Sequence, residues 1–210
     1  MNVSDVRREY VREGLRRRDL NSDPIAQFLK WLGEAQAAHP GDFTSMVLAT
    51  ADREGRPSAR VVLLKGCDDR GFVFFTHYDS RKGRDLAENP RAALVFYWPD
   101  FDRQVRIEGP VEKTSREESE AYFQSRPLGA RIGAVASRQS DVLAGRDELE
   151  SAVRDLTERL GDAVPCPDSW GGYRVVPDEI EIWQGRENRL HDRFRYRRQP
   201  EGWKIDRLSP

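Results

Sequence analysis

Between residues 45 and 113 the chain repeats one pattern: an apolar run rich in β-branched and aromatic residues, then a turn signal, then another run. SMVLATAD (45–52) leads through REGRP into ARVVLLKG (59–66), and CDDRG leads into FVFFTHY (72–78). ALVFYW (93–98) and RQVRIEGPVEK (103–113) continue the series. Links this short join antiparallel neighbours, because a parallel pair needs a crossover of about a dozen residues or more. YRVVPDEIEIWQG (173–185), RFRYRRQ (193–199) and WKIDRLS (203–209) resume the pattern near the end of the chain. The arrangement predicts an α+β fold, mainly β, with a largely antiparallel barrel and peripheral helices.

The helical signals lie around this sheet. Asp23 can cap, and Pro24 suits the first turn of, a helix whose apolar residues Ile25, Phe28, Leu29, Leu32 and Ala35 recur at helical spacing. A second helix, SRKGRDLAEN (80–89), opens on Ser80 and stops before Pro90. A third, SREESEAYFQSR (115–126), carries the capping-box pair Ser115 and Glu118 and stops at Pro127. In a fourth, Leu149, Ala152, Val153, Leu156 and Leu160 form one stripe that ends at Gly161. Residues 1–22, polar and rich in arginine, read as an arm, and residues 23–210 as a single domain.

Charge narrows the possible partners. Thirty-five basic against thirty-six acidic residues give a net charge of -1, which argues against a general binder of nucleic acid or anionic membranes. The stretches 3–20 and 186–198 are nevertheless rich in arginine, and 141–162 is acidic. Locally cationic ends on a neutral protein point to small anionic ligands. Cys67 and Cys166 fit neither a disulfide framework nor a zinc motif. There is no signal-peptide core and no run of membrane-spanning length, so the expected compartment is the cytoplasm.

Several short motifs could carry chemistry. Arg60 and Lys65 bracket four apolar residues; five apart on a strand they face opposite sides unless a bulge intervenes. They would then serve different ligands, different parts of one site, or solvent alone. Ser80, Arg81 and Lys82 open a helix, where free N–H groups attract anions, although a solvated charged turn fits the same residues. Gln104, Arg106 and Glu108 share one strand face, and Gln104 can offer a donor and an acceptor to a flat heterocycle. Tyr122 and Arg126, four apart, can form an anion clamp. In RLHDRF (189–194), an extended backbone would put Arg189, His191 and Arg193 on one face, with Leu190 and Asp192 on the other. His39, His77 and His191 are scattered, and no metal, hydrolase, P-loop or Rossmann motif is found.

Read together, RREY (7–10), GLRRRDL (14–20), RVVLLK (60–65), SRKGRDL (80–86), RQVRIEG (103–109), YFQSRP (122–127), SRQS (137–140), WGGYRV (170–175), EIWQGRENRLHDRF (181–194) and WKIDRL (203–208) resemble the pyridoxamine (pyridoxine) 5′-phosphate oxidase family. The motifs occur in that family's order over nearly the whole chain. The resemblance implies an FMN-binding split β-barrel, forming a homodimer with active sites at the subunit interface. It also implies oxidation of pyridoxamine or pyridoxine 5′-phosphate to pyridoxal 5′-phosphate, with O2 as acceptor, H2O2 released, and ammonia released from the amine.

By matched position, Arg60, Arg81, Lys82, Gln139 and Ser140 would hold the FMN phosphate and ribityl chain. Val61, Val62, Leu63, Leu64, Lys65, Phe75 and Thr76 would line the flavin, which Gln104, Trp183 and Arg193 approach, some from the partner subunit. Lys65, Tyr122 and Arg126 would take the substrate phosphate, Arg189 and His191 would face its ring as catalytic groups, and Arg7, Arg8 and Tyr10 of the arm would close over it. In this reading one short strand, RLHDRF, spans both reactants. Asp42 is a weaker candidate on the substrate side. Gly129 stands where the family usually has a serine, leaving a backbone N–H for phosphate; Arg131 and Val135 replace the usual glutamine and tryptophan. The cluster of Arg16, Arg17 and Arg18, with Arg207, offers a second anion site or a solvated basic surface. Related flavoproteins of phenazine biosynthesis share the barrel and a version of RLH, yet resemble this chain less in RREY and YFQSRP. Two alternatives stand beside this reading: another flavin- or deazaflavin-dependent oxidoreductase on the same barrel, and a non-enzymatic carrier of flavin or pyridoxal phosphate.

Overall fold

The computed structural model describes residues 1–5, 9–10 and 13–210. Among these, ten strands pair antiparallel throughout: β1 (Ser45–Ala51), β2 (Pro57–Leu63), β3 (Gly66–Asp68), β4 (Gly71–His77), β5 (Arg91–Trp98), β6 (Arg103–Lys113), β7 (Trp170–Val175), β8 (Glu179–Gln184), β9 (Asp192–Gln199) and β10 (Gly202–Leu208). The main path runs β10-β9-β8-β6-β5-β1-β2, with β7, β4 and β3 branching from β6. This is the α+β, mainly β architecture expected from the alternating runs and short turns.

The branch has a local cause. Along one edge β6 pairs with β5; along the other, residues 103–108 pair with β8 and residues 111–113 with β7. Between these halves lies Gly109, where an added Cβ would come within 2.0 Å of the Val176 carbonyl oxygen. Only glycine lets the connection from β7 to β8 pass so close. The sheet divides there and curls into two halves.

Alternation decides what fills the interior. Val105 and Ile107 are fully buried, whereas Gln104, Arg106 and Glu108 on the opposite face are partly exposed. Inside the curl, Leu48, Phe72, Phe74, Leu94, Phe96, Ile180, Ile182, Phe194 and Tyr196 form one core. Helix α1 (Pro24–Ala38) caps it, with the Asp23 carboxylate accepting from the Ile25 N–H at 2.9 Å. Phe28 contacts Phe72 and Phe96, both at 4.9 Å between ring centres, and burying a ring of this size contributes about 1.5–3 kcal/mol. The buried stripe includes Trp31, while Leu29, expected inside, lies on the solvent edge at 43% exposure.

Helices α2 (Arg81–Glu88), α3 (Arg116–Ser125), α4 (Leu128–Ala136) and α5 (Arg146–Leu160) complete the chain. Ser80 caps α2 by accepting from the Gly83 N–H, and Ser115 and Glu118 form the expected capping box on α3. Helix α4 was not anticipated; it begins directly after Pro127. A second core of Phe123, Ile132, Leu156, Val164, Cys166 and Trp170 joins α3, α4 and α5 to β7. Two further differences concern strands: CDDRG contributes Cys67 and Asp68 to β3, and the run 173–185 is two strands separated by residues 176–178. No described helix is long and apolar enough to cross a membrane.

Candidate functional site

A cleft of about 590 Å3 opens between β2, β4, α2, α3 and α4. Its walls gather Arg60, Lys65, Lys82 and Arg126, together with Thr76, Tyr122 and Gln139. Arg60 and Lys65 share it because β2 ends at Leu63 and the chain turns before β3, so the strand parity that would have set them on opposite faces does not extend to Lys65. Both line the same cleft.

Lys82 is the most constrained of these cations. It sits one residue inside α2, only 9% exposed, and donates to Gln139 Oε1 at 2.7 Å, Thr76 Oγ1 at 3.1 Å and Ser80 Oγ at 3.4 Å. All three partners are neutral. Burial, reinforced by the nearby charge of Arg60, lowers its ammonium to about 8. Arg60 donates to Thr50 Oγ1 and Ser58 Oγ, both at 2.8 Å, and to the Leu48 carbonyl at 3.2 Å. Asp85 lies 3.8 Å away and accepts from Thr50 Oγ1 at 2.6 Å; burial dominates and lowers the arginine's pKa. Two desolvated cations with mainly neutral company form a site that favours an anion.

The loop from α4 completes this end. Gln139 accepts from both Lys82 and Thr76, and the Arg81 backbone N–H donates to Ser140 Oγ at 3.2 Å. Ser140 holds a left-handed backbone, φ 78°, a conformation costly for a non-glycine residue and sustained by its surroundings. At the other end, Tyr122 stacks on Phe75 with centres 4.0 Å apart, and the Arg126 guanidinium lies 5.0 Å from the Trp170 ring. Arg126 Nη1 is buried and has no hydrogen-bond partner among the described residues. Small residues of α4, Ala130, Gly133 and Ala134, form the facing wall. His77, also in the wall, is held below its usual pKa by burial and by the Lys82 and Arg126 charges. Sequence reasoning missed His77, Trp170 and the α4 face; the WGGYRV motif was the available signal for Trp170.

Not every expected residue meets in this cleft. Val61, Val62 and Leu63 line it, but the Leu64 side chain is in the core. Gly129 is in the first turn of α4, outside the lining, with open space where its side chain would be. Gln104, Trp183 and Arg193 stand side by side across β6, β8 and β9 in direct register, on strands that do not border the cleft. Arg193 donates to Glu181 at 2.8 and 3.0 Å and to the Ser209 carbonyl at 3.0 Å.

RLHDRF is not one extended strand. Glu187–Arg189 is a single 3-10 turn in which Asn188 and Arg189 have φ of 55° and 62°, and β9 begins only at Asp192. Left-handed residues reset the direction of the chain, so the period-two argument fails for its first half. Leu190 projects outward at 68% exposure. The imidazole of His191 accepts through Nδ1 from the Arg186 N–H at 3.1 Å, and burial followed by the charges of Arg189 and Arg193 lowers its pKa. Tyr10 meets His191 edge-on at 5.3 Å and Trp183 at 5.7 Å, while Arg189 lies 5.6 Å from the Tyr10 ring. The arm therefore does reach the 189–191 turn; Arg7 and Arg8 lie outside the described residues.

Asp42 borders a separate cavity of about 230 Å3 with His39, Phe43 and Tyr97. Arg16 and Arg18 line another, about 700 Å3, with Lys30, Arg103 and Arg186. Arg207 is not among its walls and instead pairs with Asp192 at 2.6 Å.

Comparison with known proteins gives concordant matches. The family profile described as pyridoxamine 5′-phosphate oxidase matches residues 32–159, and one described as the pyridoxine 5′-phosphate oxidase C-terminal dimerisation region matches residues 170–210. The chain is 58% identical over 211 residues to a Burkholderia multivorans protein named pyridoxine/pyridoxamine 5′-phosphate oxidase, and 56% identical over 209 residues to a Cupriavidus taiwanensis protein of the same name; each match covers 99% of both chains. Among solved structures, PhzG from Burkholderia lata in complex with tetrahydrophenazine-1-carboxylic acid superposes with a TM-score of 0.87 at 37% identity, covering 92% of this chain and 95% of that one. A pyridoxamine 5′-phosphate oxidase-related, FMN-binding protein from Nostoc punctiforme shares the fold, with a TM-score of 0.72 at 16% identity over 91% of this chain and 100% of that one.

Proposed function

This chain belongs to the pyridoxamine 5′-phosphate oxidase family, and from that premise we infer that it binds FMN and oxidises pyridoxamine and pyridoxine 5′-phosphates to pyridoxal 5′-phosphate, passing the electrons to O2 with release of H2O2. The observation that carries this reading is the double cationic lining of one cleft. Lys82, desolvated beside neutral oxygens, and Arg60, with Asp85 3.8 Å away, suit one phosphate; Lys65, Tyr122 and Arg126, whose buried Nη1 has no hydrogen-bond partner among the described residues, suit another. A flavin mononucleotide and a phosphorylated substrate in the same site need two such anchors.

FMN, when bound, supplies the two-electron acceptor. The chain's own residues bind and orient. Arg60, Lys82, Gln139 and the Arg81–Ser140 contact would fix the cofactor's phosphate end, with Thr76 and Phe75 beside it. Anchoring the substrate phosphate away from the reacting carbon leaves its binding energy to enforce a productive geometry. Arg189 and His191 would face the substrate ring and Tyr10 would cover it, shielding the reaction from water. His191 is suited to donate a hydrogen bond to a substrate oxygen: its lowered pKa favours the neutral ring, and with Nδ1 accepting from the Arg186 N–H the proton sits on Nε2.

Gln104, Trp183 and Arg193 would reach the flavin of a second subunit. Support for a homodimer comes from the dimerisation-region match at residues 170–210 and from the exposed apolar side chains Val47, Val61, Leu63 and Tyr97 on neighbouring strands. We place the enzyme in the cytoplasm, in keeping with its two unpaired cysteines. The likeness to PhzG supplies the rival substrate, a reduced tricyclic carboxylate, and the small residues facing the cleft from α4 leave room for one. The test is oxygen consumption by the FMN-loaded protein with pyridoxamine 5′-phosphate, pyridoxine 5′-phosphate and a reduced phenazine carboxylate in separate arms. Turnover confined to the first two supports the proposal; turnover confined to the last, or a protein unable to take up FMN, overturns it.

A further inference from the structure

Glu181 is a buried carboxylate to which no step above gives a role. It lies in the middle of β8, 4% exposed, two residues before Trp183 on the same strand face. Its Oε1 accepts from Arg193 Nε at 2.8 Å and its Oε2 from Arg193 Nη2 at 3.0 Å, a two-pronged contact; Oε2 also accepts from Arg106 Nη1 at 3.3 Å. The remaining Arg193 nitrogen is taken by the Ser209 carbonyl, and the Arg106 Nη2 donates to Glu108. Arg195, the other cross-strand neighbour of Glu181, turns to Glu179 and Asp206 instead. The result is a row of alternating charge across β6, β8 and β9: Glu108, Arg106, Glu181, Arg193.

Every Arg193 donor nitrogen is thus engaged by the protein itself, and its charge is matched by a carboxylate that is inaccessible to water. A bare guanidinium beside a flavin ring stabilises the extra negative charge of the two-electron-reduced form and so raises the reduction potential. A guanidinium locked to a buried carboxylate acts at that distance mainly as a dipole. We propose that Glu181 is a positioning residue that fixes Arg193 beside the flavin and neutralises it, keeping the flavin potential low so that the reduced cofactor readily gives up its electrons. The inference rests on the proposed FMN site, in which Arg193 approaches the flavin.

Arg106 supplies a control of opposite sign. Removing Glu181's charge leaves Arg193 uncompensated; removing Arg106 leaves Glu181 to compensate Arg193 alone. Potentiometric titration of FMN-loaded protein, with the Kd for oxidised FMN measured alongside, reads both. Glu181→Gln should leave the affinity for oxidised FMN within about threefold while tightening the reduced form roughly tenfold, a positive shift of about 30 mV for a two-electron couple. Arg106→Gln should move the potential the other way. A folded, FMN-loaded Glu181→Gln protein at the wild-type potential overturns the inference, as do shifts of the same sign in both variants; if Glu181→Gln does not fold, the sign of the Arg106→Gln shift decides. Failure of the native chain to take up FMN overturns the functional reading instead, whereas an unmoved potential in an enzyme that turns over leaves that reading intact.

Discussion

Lys82 and Arg193 are both expected at one flavin, yet the protein surrounds them differently. Lys82 is buried among the oxygens of Gln139, Thr76 and Ser80, with no carboxylate accepting from it among the described residues. Arg193 is gripped from two sides by Glu181. A desolvated cation with neutral partners is destabilising until an anion arrives, whereas a cation already paired is part of the scaffold. The first kind of group binds, and the second orients.

The comparison can be broken by substitution. Arg193→Leu should have the largest effect, because it strips the buried Glu181 of its two-pronged partner; stability should fall by about 3 kcal/mol, read as a shift in the denaturant midpoint, with FMN retention falling too. If the variant unfolds at the wild-type midpoint, Arg193 is not part of the scaffold. Arg189, with no carboxylate within salt-bridge distance among the described residues, should behave otherwise. Arg189→Leu should lose turnover on the order of a hundredfold through misplacement of substrate while FMN stays bound, and equal turnover would remove Arg189 from the site.

Lys82→Met should weaken FMN by about tenfold to a hundredfold, the equivalent of one charge-assisted contact of about 1.5–3 kcal/mol, while the FMN-free protein melts no lower than wild type. A lower melting point would mean that Lys82 also has a structural task.

The lowered pKa of Lys82 adds a pH arm. Its folded value of about 8 lies below the ordinary lysine value of 10.5, so the unfolded chain holds more protons between these two pH values. Lys82 therefore makes the FMN-free protein more stable as pH rises through that window. Bound phosphate favours the ammonium, so FMN affinity should fall above pH 8 by at most about tenfold per pH unit, and this slope should vanish in Lys82→Met. The smallest effect concerns the neutral wall: Gly133→Ala has open space for its methyl group and should stabilise α4 by about 0.5–1 kcal/mol without changing the FMN Kd. A measurable loss of affinity there would mean the ligand packs directly against α4.

The antiparallel sheet was legible because alternation and tight turns are local signals. Helix α4 was hidden by Gly129 and Gly133, which lower helix propensity in a segment whose buried face is set by α3 and α5. The bend at residues 188–189 was missed because nothing in RLHDRF announces two left-handed residues that are not glycine. The cleft was legible in parts: Ser80, Arg81 and Lys82 marked an anion site, but Lys82's neutrality of environment depends on Gln139, which is 57 residues away. The role of Glu181 needs cross-strand register, which periodicity within a single strand does not contain.

The fork in β6 has a consequence for how the chain is made. Arg106 and Glu181 are separated by 75 residues, and both partners along the outer edge of β6, β7 and β8, follow α3, α4 and α5 in the chain. During synthesis the ribosome releases β1 to β6 long before anything can cover that edge, leaving a strand with open hydrogen-bonding groups and a half-built apolar interior. Pairings this distant slow folding and expose the nascent chain to association with its neighbours. The same strand that unites the finished barrel is therefore where a newly made copy is most in need of a chaperone.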